Sequence, residues 1–306
     1  MKRKAFKKKG LVFTIGVFDG VHLGHQALVR EAIRLAKKLR AVPEALTFHD
    51  HPRHVLTDGV KVPFLLDRKT TFEMLKADGL KNVRVLPFNR EFSLKSPEEF
   101  VRWLVAQGPL MGVVVGQNFR FGRGARGDVR LLKELGRIYG FAVKGVARVH
   151  KEGSTVSSSF IRELLSQGQT EKANRFLGRP YFIEAKVVKG RQVGRRIGFP
   201  TANLGGVTRL PPKDGVYACL VKAGGKLYRG GMNLGRRPTF QDDDHHRKAE
   251  VHLLHYHGRL YGKTLRVYLM KYLRPEKKFS SPESLQLQIA KDLKVIQSLS
   301  FSSVLI

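Results

Sequence analysis

LVFTIGVFDGVHLGH, residues 11–25, is the stretch whose reading decides the fold. The apolar run Leu11 to Ile15 gives way to a segment with Gly16, Gly20 and Gly24, then to an amphipathic stretch carrying Leu28, Ile33, Leu35 and Leu39. The pattern predicts strand, tight turn and helix start. Glycine lets the backbone turn sharply and approach a ligand closely, and the following helix aims its unpaired N–H groups at the turn, which suits a phosphate. His22 and His25 lie on the first helical turn, where both can face one anion and stabilise charge on a phosphoryl group in transit. Gly16, Phe18, Asp19 and Gly24 are candidate nucleotide- or phosphate-contacting positions of the same turn. The competing reading is a plain glycine turn with two surface histidines, and the strand before it and helix after it weigh against that.

Outward from this turn, β-rich runs alternate with helical ones. Strands are expected at Leu11 to Val17, Pro43 to Phe48, Val83 to Phe88, Met111 to Gly116 and Phe141 to Val146. Helices are expected at Leu23 to Leu39, Asp67 to Ala77, Pro97 to Ala106 and Val129 to Tyr139. Strands apolar throughout, such as Gly112 to Val115, are expected where helices cover both faces of a parallel sheet. The fold class is therefore α/β, a doubly wound Rossmann-like domain with ligands at the strand carboxyl ends. Two short helices, Ser158 to Ser166 and Thr170 to Leu177, precede a break at Gly178-Arg179-Pro180. Beyond it come strands at Phe182 to Val188, Gly215 to Val221, Lys226 to Met232, Ala249 to Leu254 and Leu265 to Leu273, and a last helix from Pro282 to Leu299. Short strands with one terminal helix argue for a small antiparallel barrel or sandwich. The boundaries read as a basic arm over 1–10, a first domain over 11–177, a linker over 178–181 and a second domain over 182–306.

Composition bounds the function. With 306 residues and 42% of them hydrophobic, the chain can bury two cores. It has no apolar run approaching a membrane span and no signal peptide, so a cytoplasmic protein is expected. Its single cysteine, Cys219, excludes an intramolecular disulfide and reads as a buried inert thiol. The formal charge of +32 is spread over nearly every segment. Such a surface attracts nucleoside triphosphates, nucleic acid and anionic membranes alike, so charge does not choose among them. Nucleic-acid binding through this surface stands as a rival or side activity rather than the main function, and the sequence leaves the oligomeric state open.

Further motifs carry chemistry. GQNFRFGRG, residues 116–124, leaves a buried strand at its carboxyl end, so Gly116 and Asn118 are candidates for the crevice of His22 and His25. Ser158 and Ser159 sit at a helix start with Arg162 on its first turn, which fits a helix cap and a phosphate site equally. In the second half, GRQVGRRIG, residues 190–198, is a flexible basic loop, and Gly194, Arg195 and Gly198 are candidates to close over phosphates. It runs into Phe199-Pro200-Thr201-Ala202-Asn203, where Thr201 and Asn203 offer hard oxygen ligands for Mg²⁺ bound to phosphate. Glu250, a lone carboxylate in an apolar strand, suits a general base, with a structural ion pair as the alternative. The histidines His245, His246, His252, His255 and His257 are dense, but strand alternation turns His252 away from the last two, and a structural zinc site is not expected. His49, His51 and His54 have a spacing that implies nothing specific.

In this order the motifs resemble the bacterial bifunctional riboflavin kinase and FMN adenylyltransferase family, the FAD synthetases. The resemblance spans nearly the whole chain and rests on GVFDGVHLGHQ from Gly16, GQNFRFG from Gly116, VSSSFIR from Val156, LGRPY from Leu177, GRRIGFPTANL from Gly194, GVYA from Gly215, NLGRRPTF from Asn233, EVHLL from Glu250, LYG from Leu260 and LRPEKKF from Leu273. It implies a nucleotidyltransferase domain followed by a six-stranded kinase barrel, with ATP and Mg²⁺ serving both and riboflavin, FMN and FAD as substrate and product. It also implies that His22 and His25 bind the triphosphate, that Asn118, Ser158, Ser159 and Arg162 lie around ATP phosphates and flavin, that Thr201 and Asn203 hold Mg-ATP, and that Glu250 is the base. The chain departs from the family pattern at His49, Asp50, Lys81, His255 and Arg259, mostly where an acidic residue is usual. None of these is a motif residue with a catalytic part, so both activities are expected to survive.

Overall fold

The computed structural model describes residues 9–48, 63–86, 88–190, 194, 197–207, 212–236 and 247–301. Most of the basic arm, His49, His51, His54, Arg195, His245 and His246 lie outside the described residues. The chain divides into two compact units, Met1–Ser158 and Ser159–Ile306.

The first unit runs β1 (Leu11–Ile15), α1 (Leu23–Lys38), β2 (Val42–Phe48), α2 (Arg68–Ala77), β3 (Asn82–Leu86), α3 (Arg90–Ser93), α4 (Pro97–Val105), β4 (Leu110–Gly116), α5 (Val129–Tyr139), β5 (Ala142–Val146) and a hairpin of β6 (His150–Lys151) with β7 (Ser154–Thr155). Its main sheet is parallel, in the order β3-β2-β1-β4-β5. Every residue of β1 is buried. Alternation divides them between two cores: Leu11, Phe13 and Ile15 face the α4 and α5 side, while Val12 packs on Ala32 and Ala36 of α1. The helices start where side chains can satisfy their first N–H groups. Asp67 caps α2, Ser96 with Glu99 forms a capping box on α4, and Asp128 caps α5, which ends at Gly140 in a left-handed conformation.

The second unit contains most of α6 (Ser158–Ser166), α7 (Thr170–Leu177) and six strands: β8 (Tyr181–Val188), β9 (Ala202–Gly205), β10 (Gly215–Ala223), β11 (Lys226–Arg236), β12 (Arg247–Leu253) and β13 (Thr264–Arg274), followed by α8 (Pro282–Ser298). The strands close into an antiparallel barrel in the order β10-β11-β12-β9-β8-β13, which resolves the choice between barrel and sandwich. Inward positions are apolar, among them Leu204, Met232, Leu234, Val251, Leu265 and Val267. Asn174 ties α7 to two strands, donating to the Leu269 carbonyl at 2.8 Å and accepting from the Tyr181 N–H at 2.7 Å. Arg274 grips Asp292 of α8 through Nε and one terminal nitrogen, fixing the helix on the barrel.

Several elements differ in extent from the sequence reading. β1 stops at Ile15 because Gly16 to Val21 form the turn, and β12 stops at Leu253. His255 sits in a turn with φ of 57°, so strand alternation does not orient it. β11 continues to Arg236, four residues past Met232, and β9 is an added strand.

Candidate active sites

The order β3-β2-β1-β4-β5 reverses direction between β1 and β4, and a crevice opens outside the carboxyl ends at such a point. The loops after these two strands carry Gly16 to His25 and Gly116 to Gly127. The first is tightly wound: Phe18, Gly20 and Val21 all have positive φ, at 55°, 82° and 40°. For a β-branched residue such as Val21 that conformation is strained, at roughly 1–3 kcal/mol. Surrounding hydrogen bonds hold it. Thr47 Oγ1 donates to the Val17 carbonyl, Gln26 Nε2 to that of Val21, and Ser158 Oγ to that of Asp19, while the Leu65 N–H donates to Asp19 Oδ1. Phe18 is wholly buried in the core and Asp19 is nearly so. Their side chains therefore build the turn from inside. Gly16 lies against the Phe18 ring, and Gly24 lies under His22, whose ring atoms sit within 3.1–3.2 Å of where a Cβ would stand.

The two histidines are brought together. Their rings stack at 3.7 Å between centroids and 13° between planes. His22 is the N-cap of α1, its Nδ1 accepting from the His25 N–H at 3.3 Å. With Nδ1 accepting, the ring proton of His22 sits on Nε2. Burial, and secondarily the neighbouring His22, push the His25 imidazole well below its ordinary pKa, and its Nδ1 is buried without a partner. The result is a stacked imidazole pair at the positive end of a helix, with His25 held toward its neutral form.

Asn118 is exposed on the loop after β4, with its Oδ1 3.0 Å from where a Cβ on Gly116 would stand. The adjacency of β1 and β4 puts this loop beside the His22 loop. Ser158 uses its hydroxyl on the Asp19 carbonyl, so it braces the turn. Ser159 is exposed and Arg162 half-buried on α6.

In the barrel, strand register assembles the second site. Asn203 of β9 lies directly opposite Glu250 of β12, and Glu250 lies directly opposite Asn233 of β11. Their chain neighbours Ala202, Leu204, Ala249, Val251, Met232 and Leu234 are buried, so these three polar side chains share the outer face of the wall. Lys248 Nζ binds Glu250 Oε1 at 2.9 Å, which realises the ion pair considered for this carboxylate without excluding its use as a base. Thr201 precedes β9. Gly190 and Gly194 let the loop fold back: a Cβ on Gly190 would strike the Asn203 carboxamide, and one on Gly194 would strike the Phe199 carbonyl and crowd Thr201 Oγ1. Gly198, at φ of 82°, completes the turn into Phe199. His252 adds a contact that the sequence did not suggest. Its Nδ1–H donates to the Pro200 carbonyl at 2.8 Å, pinning the Thr201 segment to the strand that carries Glu250. Lys248, Asn233 and Glu276 were also missed as site neighbours, and only the register brings them in.

Comparison with known proteins agrees with this division. The FAD synthetase family model matches residues 4–160 and the riboflavin kinase family model residues 177–300. Proteins described as bifunctional riboflavin kinase/FMN adenylyltransferase are similar along most of the chain. The Escherichia coli protein is 35% identical, covering 93% of this chain and 91% of its own. The Bacillus subtilis protein is 33% identical, covering 92% and 90%. A solved structure described as a macrolide-efflux protein from Streptococcus pneumoniae matches with a TM-score of 0.87 and 30% identity over 95% of each chain. Among the described residues here, no helix is long and apolar enough to cross a membrane. Two family models matched in order on one chain, and full-length relatives of the same description, show that this chain belongs to the bifunctional riboflavin kinase/FMN adenylyltransferase family.

Proposed function

We propose that the chain makes FAD in two ATP-dependent steps: riboflavin is phosphorylated to FMN at the Asn203–Glu250 site, and FMN is adenylylated at the His22–His25 site. The observation that carries this is the difference in polar groups, a stacked imidazole pair in one unit and a carboxylate on the barrel wall in the other. In adenylyl transfer an FMN phosphate oxygen attacks the α-phosphorus of ATP and pyrophosphate leaves. That nucleophile is already anionic at neutral pH, so the site needs alignment and charge stabilisation rather than a base. In the kinase step a ribityl hydroxyl attacks the γ-phosphorus, ADP leaves, and the hydroxyl proton passes to Glu250.

We assign the first chemistry to residues 11–177 and the second to 182–306, in the cytoplasm. Gly16, Gly24, Gly116, Asn118, Ser158, Ser159 and Arg162 surround the nucleotide and flavin in the first site, and Gly194, Arg195 and Gly198 the triphosphate in the second. The donor set of the second site fits Mg²⁺: Thr201 and Asn203 are hard oxygen donors, Asn203 lies directly opposite a carboxylate, and an ion shared with phosphates needs few protein ligands. When bound it would neutralise charge on the transferring phosphoryl group.

The test is to incubate the protein with riboflavin and Mg-ATP and to resolve FMN and FAD by chromatography. Both products are expected. Glu250→Gln should lower FMN formation by about 10²–10⁴-fold while FAD formation from supplied FMN persists. Absence of both products from folded wild-type protein overturns the assignment of function.

A further inference from the structure

Asn233 is placed by two independent features. Its Nδ2 donates to Glu276 Oε1 at 2.9 Å. Because only the amide nitrogen can donate to a carboxylate, this bond fixes which way the carboxamide faces. Its Oδ1 is buried with no hydrogen-bond partner among the described residues. A buried acceptor left unpaired costs on the order of 1–3 kcal/mol, and such an atom in a functional wall calls for an explanation. The arrangement is built for. A Cβ at Gly235 would collide with both carboxylate oxygens of Glu276, so only glycine lets Glu276 lie across β11 and reach Asn233. Across the ladder stands Glu250, directly opposite Asn233, with its Oε1 already taken by Lys248.

We propose that Asn233 is a positioning residue of the phosphoryl-transfer site, and that its Oδ1 accepts a hydrogen bond from Glu250 once Glu250 has taken the proton of the substrate hydroxyl. The inference rests on the kinase reading above. As the new O–P bond forms and ADP departs, the hydroxyl proton moves to Glu250 Oε2. The resulting carboxylic acid donates to Asn233 Oδ1, an acceptor that has no partner among the described residues before the transfer. Before the transfer that oxygen is unsatisfied; afterwards it is paired. The contact is gained along the reaction rather than on substrate binding, so it acts on kcat. Among the described residues, the charged and titratable groups around Glu250 are Lys248 and His252 on its own strand and Glu276 behind Asn233, while β9 contributes the uncharged Asn203.

The experiment measures FMN formation against pH for the full chain, with FMN adenylylation in the same preparation as a folding control. Asn233→Ala is expected to lower kcat about 10-fold or more, with KM for ATP and riboflavin within about threefold of wild type. Losing the acceptor removes an interaction with the protonated form of Glu250, so the acidic limb of the kcat profile should move to lower pH. Asn233→Asp puts a second carboxylate beside Glu250 and should move the limb to higher pH. Glu276→Gln still accepts from Nδ2 and should behave as wild type, whereas Glu276→Ala frees the carboxamide to turn and should lose part of the rate. A role in packing alone would not shift the two limbs in opposite directions. Wild-type kcat and an unmoved limb in Asn233→Ala overturn this proposal while leaving the kinase reading standing. A chain that forms no FMN, or whose Glu250→Gln variant is unimpaired, overturns the kinase reading itself.

Discussion

His22 both caps α1 and stacks on His25, and two substitutions separate these parts. Alanine removes the cap and the ring together. Loss of an N-cap acceptor costs about 0.5–2 kcal/mol. Asparagine is among the best N-cap residues, so it should keep the bond to the His25 N–H and lose only the imidazole. For a unit of this size, about 1–2 kcal/mol corresponds to a Tm lower by about 2–8 °C. On the proposed assignment His22 donates to charge that develops on the phosphoryl group, and removal of one such donor costs about 10²–10³ in kcat. His22→Ala should therefore lose both stability and adenylyl transfer, whereas His22→Asn should lose transfer by a similar factor and stay within about 0.5 kcal/mol of wild-type stability. Thermal unfolding gives the first quantity and FAD formation from supplied FMN and Mg-ATP the second, with riboflavin phosphorylation as internal control. Adenylyl transfer by His22→Asn within a few-fold of wild type would refute the catalytic role, and equal destabilisation by both substitutions would refute the capping role.

The depressed pKa of His25 has a sign that can be followed. Below about pH 6.5 the unfolded chain binds a proton at this residue that the folded chain does not, so stability of the first unit should fall as pH drops through that value toward the folded pKa. Urea unfolding at pH 7.5 and 5.5 should show a smaller loss in His25→Gln than in wild type; an equal loss would place the burial of this ring in doubt. Cys219 is wholly buried and its thiol pKa is pushed up by desolvation, so iodoacetamide should label it only in denaturant. Labelling of the native protein would contradict the closed barrel core. Asp292→Ala leaves Arg274 half-enclosed without its bidentate partner and should destabilise the barrel by about 3 kcal/mol. A change below about 0.5 kcal/mol in the urea transition would mean that α8 is held by its apolar contacts, such as Leu293 and Ile296, alone.

The first unit was legible because its signals are local. Apolar runs flanked by caps and glycines give α5 at Val129–Tyr139 and place His22 and His25 at a strand-to-helix turn. Nothing local says that the His22 ring caps its own helix or that the two imidazoles stack. Both follow from the left-handed turn at Phe18 to Val21, which is held by nearby Gln26 and by Thr47, Leu65 and Ser158 from distant parts of the chain. In the barrel the loss was greater. Thr201, Asn203 and Glu250 stood out by residue type, but β11 was expected to end at Met232, one residue short of Asn233. Polar and glycine residues in Asn233-Leu234-Gly235 look like the end of a strand when read alone. They continue it because Leu234 fills the barrel interior, Asn233 lies level with Glu250 on the outer face, and Gly235 leaves room for Glu276.

On the proposed assignment, the outer wall of the barrel is an active site. An outer face has no pocket of its own, so the chemistry must be assembled from side chains that register brings level across neighbouring strands. Asn203, Glu250 and Asn233 form one such row, and a slip of one residue in β11 or β12 would turn its polar members inward and bring Leu234 or Val251 out. The apolar interior therefore fixes the alignment of the proposed site: the burial that makes Met232, Leu234, Ala249 and Val251 face inward also sets Asn233 opposite Glu250. A polar substitution at Leu234 should then weaken FMN formation through loss of register, although Leu234 itself touches no substrate.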